Sequence, residues 1–293
     1  MNSDFFTGNI SLPNKTDWEF FQRCSADEYL KEIQKSLETS NRFFVDQRFV
    51  KLMYWFSQEG NENCIAEQVL DVKSRYLLYR ARIYDEITDQ KERGQNIENE
   101  PDDSKFFGYG KNGSFVPPIG TRVGGGRANP EGIIYLYAAN DVETAIAEVN
   151  PSLESEVSVA KIAIKQNLRI LNFANLSATS TGPDERLTAW KRNFILALTR
   201  IFNTPASGSD YLLCQYVSEL AKIFGFDGIA FRSSKVKLDF SAGKGINYTI
   251  FNYNKCEAVS SRLYYVANRS MELKERDCNG YYQPLSGKRG EDD

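Results

Sequence analysis

The chain has 293 residues, 41% of them hydrophobic, with 36 Lys and Arg against 39 Asp and Glu, a formal net charge of −3, five cysteines and no histidine. That length and composition suffice for a sizeable buried core, and the slight negative charge offers no basic field to attract nucleic acid. Without histidine there can be no Ser-His-Asp triad, Cys-His pair, H-E-x-x-H metalloprotease site or histidine metal ligand, so chemistry has to come from carboxylates, hydroxyls, Arg and Lys.

Residues 1–15 read as polar and irregular, with neither the basic start nor the apolar run of a secretory signal. From residue 17 to about 72 the pattern is helical. The segments DWEFFQRC, DEYLKEIQKSLE and NRFFVDQRFVKLMYWFSQ repeat apolar residues every three or four positions. Residues 60–63 break that run before a last short helix. Residues 76–84 then alternate as a strand, placing Arg80 and Arg82 on one face. Two inward arginines are costly unless an anion meets them, and ion pairs with the acids between Asp85 and Asp103 are the alternative. Residues 85–122 read as a long charged, Gly-rich loop closed by Pro117 and Pro118.

Residues 124–149, GGGRANPEGIIYLYAANDVETAIAEV, hold the strongest signal. Three glycines allow close approach of backbone to a ligand, and Arg127 adds a forked permanent cation suited to phosphate. Residues 133–138 read as a strand and Asp141 as the N-cap of a helix over residues 142–149. Tyr137 lies at the strand end, and Glu148 among Ala, Ile and Val reads as a shielded carboxylate. Strands follow at residues 157–164 and 168–172, then amphipathic helices at 185–202 and 210–224 with Gly225 as C-cap. Residues 228–231, 248–251 and 258–266 complete a mixed sheet, with Ser233 and Ser234 after a strand end and Asn247 on a Gly-flanked turn. The charged tail from residue 272 reads as mobile.

Two further patterns carry little. The G-x-G-x-x-G of residues 108–113 follows no strand, and Pro117 and Pro118 bar the helix a dinucleotide-binding turn requires. Cys24, Cys64, Cys214, Cys256 and Cys278 are scattered and odd in number, which fits a reducing cytoplasm better than a disulfide framework or zinc site. No apolar run approaches the roughly 20 residues of a membrane helix.

The 124–149 block is similar to the core motif of the RES domain family, bacterial NAD-degrading toxins of which many pair with an Xre-type antitoxin. GFDGIAFRSS (225–234) resembles that family's Gly-aromatic-Asp-Gly segment, LYRARIY (78–84) its opening strand, and GKGINYTIFN (243–252) its closing strand. The four blocks stand in the family's order. The chain departs from common members in reading Arg127-Ala-Asn where many have Arg-Trp.

The resemblance, which spans about residues 76–265, implies an α+β fold, an ADP-ribosyltransferase-like split mixed β-sheet with flanking helices; the helical periodicity before it adds an N-terminal helical subdomain. The chain would then divide into residues 1–72 for the helices, 73–270 for the RES domain and 271–293 for a charged tail. The resemblance implies cleavage of the nicotinamide–ribose bond of NAD by a cytoplasmic toxin or antiviral-defence effector. ADP-ribosylation of a protein, or nucleotide binding without catalysis, are the alternatives. Arg127, Tyr137, Glu148 and Ser233 would be catalytic. Arg80, Arg82 and Asn247 would bind substrate, with no metal and no cofactor other than NAD as substrate. The implied partners are NAD, an Xre-type antitoxin or other regulatory protein and a second copy of the chain, with no direct nucleic-acid or membrane partner.

Overall fold

The structure, a computed structural model, describes residues 10–40, 46–58, 67–71, 73, 75–94, 104–117, 121–174, 184–204, 211–236, 244–268, 274–276 and 282–284. The expected break at residues 60–63, together with Cys64 and Cys278, lies outside them.

Three helices open the chain, each started by a side chain that satisfies free backbone N–H groups. Asn14 and Asp17 form a reciprocal capping box on α1 (Lys15–Phe21), and Ser25 and Glu28 another on α2 (Ala26–Thr39). Asp46 caps α3 (Gln47–Ser57) through the Arg48 N–H. Their apolar faces bury Phe21, Tyr29, Leu30, Ile33, Phe49, Leu52, Met53 and Phe56 almost completely. These residues join one core with α6 (Glu185–Asn203) and α7 (Tyr211–Ile223). Phe21 stacks on Trp190 at 5.0 Å between ring centres, and the Trp190 indole N–H donates to the Cys24 carbonyl at 2.9 Å. At about 1.5–3 kcal/mol for each large apolar side chain buried, this docking is a major share of the fold's stability.

In place of the last short helix expected before residue 72, the chain forms β1 (Glu67–Leu70), a strand antiparallel to β5 (Leu168–Asn172). A four-residue segment is too short to secure a helix against a free strand edge that supplies a ladder of hydrogen bonds. The N-terminal region thus contributes a strand as well as helices.

The remaining strands are β2 (Leu77–Ile83), β3 (Leu136–Ala139), β4 (Glu156–Ile164), β6 (Gly228–Arg232), β7 (Ile246–Ile250) and β8 (Cys256–Tyr265). The eight run in the order β1-β5-β6-β7-β3-β2-β4-β8, with only β5 and β6 parallel, so the fold is α+β with a mixed sheet. At the centre β2 and β3 are joined by one residue pair, Tyr79 with Ala139. Helix α5 (Val142–Glu148) packs across this seam on β2, β3, β4 and β7. One sheet face carries the helical core. On the other, Leu78, Leu136, Ile162, Tyr248 and Ile250 form a second core closed by Phe106, Phe115 and Val116.

Other differences from the sequence reading are local. The long loop contains a helix, α4 (Glu86–Gly94), and β3 begins three residues later than expected. Within the tail, residues 274–276 and 282–284 pair as β9 (Lys274–Arg276) and β10 (Tyr282–Pro284). Asp141 caps α5 through the Thr144 N–H, and Gly225 ends α7 at φ +84°, both as the residue types require.

Candidate active site at the seam of the sheet

A cavity of about 360 Å³ opens where β2 and β3 part. Arg80 reaches it from β2, Arg127 from the loop before β3, Tyr137 from β3, Glu148 from the end of α5, and Asn247 from within β7 rather than from the expected turn, because it pairs with Ala139 and Phe231 on the neighbouring strands. Ser233, just past β6, meets them through Glu148: its hydroxyl donates to Glu148 Oε1 at 2.5 Å, and Asn247 Nδ2 donates to the same oxygen at 2.7 Å. Among the described residues no donor reaches Oε2. Ser233 and Asn247 are both buried, so they form a fixed seat for the carboxylate.

Glu148 is itself exposed, not shielded as its apolar neighbours suggested. It stands at the last position of α5, where the helix has emerged from the apolar packing that buries Thr144 and Ala145.

The cations differ from one another. Arg82 does not reach the cavity lining: its guanidinium forms two parallel bonds with Glu92 of α4, at 2.8 and 2.9 Å, and lies over the Tyr109 ring at 4.0 Å. The acids after Asp85 thus take one of the two strand arginines, through the helix hidden in the supposed loop. Arg80 has no hydrogen bond or ion pair among the described residues, and burial, with the Arg82 cation nearby, pushes its guanidinium below the usual value. The Glu92 carboxylate, held by Arg82, offsets this only in part, so desolvation dominates the shift.

Arg127 has no carboxylate partner among the described residues. Its guanidinium lies 5.3 Å from the Tyr211 ring centre and 5.4 Å from that of Phe231, and donates to the Ile201 carbonyl at 3.3 Å. Lys235 adds a third cation to the lining. Three cations against one carboxylate make the cavity a site for an anion.

Tyr137 lines the cavity, but its hydroxyl is engaged in the Arg127 loop. It donates to Asn129 Oδ1 at 2.6 Å and accepts from the Ala128 N–H at 3.1 Å, and burial pushes the phenol up to about 12. The glycine requirement narrows to Gly126, where a Cβ would stand 2.6 Å from Asn129 Oδ1 and 2.7 Å from the Tyr137 hydroxyl. Gly124 and Gly125 have room for a side chain. Gln215, from α7, donates to the Gly126 and Asn129 carbonyls at 2.8 and 3.1 Å. Tyr211 and Gln215 were not legible in the sequence, because no spacing ties α7 to a loop some eighty residues earlier, and Lys235, just past β6, carries no motif of its own. Among the described residues no cluster of three or more acid or thiol side chains could hold a metal ion.

Residues 106–273, more than half the chain and including every lining residue from Arg127 onward, match the family model of the RES domain. The chain belongs to the RES domain family. Of this RES chain, 74% superposes on 93% of a chain in the "Crystal structure of the M.tuberculosis MbcT-MbcA toxin-antitoxin complex", at 13% identity and a TM-score of 0.37, a remote likeness. No curated protein matches it in sequence. None of its helices, among the described residues, is long and apolar enough to cross a membrane.

Proposed function

We propose that the chain is a toxin that consumes NAD by cleaving the bond between nicotinamide and ribose. One observation supports this above others: a carboxylate fixed by Ser233 and Asn247 shares a cavity with two arginines that form no ion pair among the described residues. A dinucleotide matches that arrangement, with its pyrophosphate on Arg127 and Arg80 and its nicotinamide ribose at Glu148. In the ADP-ribosyltransferase-like fold that the sequence resemblance implies, the ligand would lie in the same cleft.

Bond cleavage sends the electron pair of the C1′–N bond onto the pyridinium nitrogen, so nicotinamide leaves as a neutral molecule and needs no proton. That removes any need for a general acid such as histidine. Positive charge develops on the ribose as an oxocarbenium ion, and the anionic Glu148 stabilises it, as a carboxylate does in glycoside cleavage. Ser233 and Asn247 hold Oε1, leaving Oε2 for a ribose hydroxyl or the cation. Attack on C1′ by water gives ADP-ribose and a proton, and attack by phosphate gives ADP-ribose 1-phosphate. The exposure of Glu148 favours one second reading, transfer of ADP-ribose to a side chain of another protein. On either reading, a regulatory partner such as an antitoxin would act by covering the cavity mouth.

Incubation of purified protein with NAD, with and without phosphate, separates these outcomes by product. Free nicotinamide with ADP-ribose or its 1-phosphate is expected. NAD left intact would remove the reading.

A further inference from the structure

The Arg127 turn is gripped from two sides, and one grip comes from a helix outside the motif. The Gly126 N–H donates to the Asn129 carbonyl at 2.9 Å, closing a turn around Arg127. From β3 the Tyr137 hydroxyl holds Ala128 and Asn129. From α7 the Gln215 amide uses its two N–H groups on the carbonyls of Gly126 and Asn129, one on each side of Arg127. Tyr211 lies four residues earlier on the same helix, hence on the same face, and holds its ring 5.3 Å from the Arg127 guanidinium at cation–π range. A single face of α7 thereby fixes both the backbone and the charged head of this residue.

We propose that Gln215 is a positioning residue for substrate: it sets the Arg127 fork at the angle that receives the pyrophosphate and touches no reacting atom. The proposal rests on the NAD reading for its substrate, but not for its geometry. Gln215 contributes two donors and no charge. Gln215→Glu keeps its size and shape while turning those donors into an anion opposite two carbonyl oxygens, so the turn should detach from α7. Gln215→Leu removes the donors without adding repulsion and should have a smaller effect in the same direction.

Two measurements on the full chain test this. In steady-state NAD turnover, Gln215→Glu should raise KM about tenfold or more and change kcat by less than about threefold, with Gln215→Leu between it and the parent. Labelling with phenylglyoxal, with the modified arginine mapped by mass spectrometry, should modify Arg127 several times faster in Gln215→Glu. Unchanged KM and unchanged Arg127 labelling would overturn the proposal. So would a fall in kcat at constant KM, which would give Gln215 a role in the chemical step. If the parent protein neither consumes NAD nor gains protection of Arg127 from it, the NAD reading fails, while the labelling rates still decide whether Gln215 holds the turn.

Discussion

Among the described residues Glu148 accepts two hydrogen bonds on one oxygen and none on the other, so its two oxygens have separate work to do. Glu148→Gln can keep the bonds from Ser233 and Asn247 through its amide oxygen, but it turns an uncharged NH₂ towards the ribose. Turnover should fall about 10²- to 10³-fold, the scale of losing one preorganised electrostatic group, with NAD binding and melting temperature nearly unchanged. Full turnover would take Glu148 out of the mechanism. Arg127→Lys keeps a cation but loses the planar fork held between two aromatic rings, so NAD affinity should drop about tenfold, read by calorimetry. Unchanged affinity would shift the anion to Arg80 and Lys235. Tyr137→Phe leaves Asn129 Oδ1 and the Ala128 N–H without their partner, a loss of about 1–3 kcal/mol in denaturant unfolding. Glu148, Ser233 and Asn247 were legible as members of ordered motifs, although 85 and 99 residues separate the bonded pairs. Arg82 was not placed correctly as a cavity residue, because its partner Glu92 sits on a helix that composition made look like loop. The exposure of Glu148 was also hidden, since it depends on where α5 ends relative to the sheet rather than on its neighbours in sequence.

Among the elements, periodicity alone disclosed the N-terminal helices and the apolar area they must cover. What they cover was not readable: Phe49 stacks on Tyr216 of α7 at 6.0 Å and Tyr54 meets Phe224 at 5.3 Å edge to face, contacts set by tertiary packing. β1 escaped notice because a short segment takes its conformation from the edge it meets. We propose that residues 1–72 act as part of the catalytic unit's foundation. Expressed alone, residues 73–293 would lose α1–α3 and β1, baring Phe194, Leu198, Val217 and the edge of β5. That fragment should be insoluble or melt without a cooperative transition in calorimetry. A soluble fragment with the parent's melting profile and NAD turnover would assign the helices to some separate partner.

For the molecule as a whole, burial raises several acids that are neutral when protonated: Tyr137, Tyr216, Cys214 and Cys256 are each pushed up to about 12. Each folded value exceeds the unfolded one, near 9 for the thiols and 10 for the phenols. The unfolded chain therefore releases these protons first, and the stability linked to them is complete below about pH 9 and lost as pH rises towards 12. Melting temperature should be nearly level from pH 7 to 9 and fall steeply from 10 to 12. A flat profile through pH 12 would mean that these groups ionise as readily folded as unfolded.

The lone Tyr79–Ala139 pair gives the sheet a mechanical weak line, with β2, β4 and β8 on one side and the other five strands on the other. Shear between the two halves is resisted there by one rung of the ladder and by the clamp of α5. A small molecule touching Arg80 on one side and Arg127, Glu148 and Asn247 on the other would act as a rivet through that line. Backbone amides of β2 and β3 should then exchange with deuterium several times more slowly once NAD or ADP-ribose is added, while those of the distant β1–β5 ladder keep their rate. Equal slowing everywhere would point to general stabilisation, and none at β2 and β3 would place the ligand away from the line.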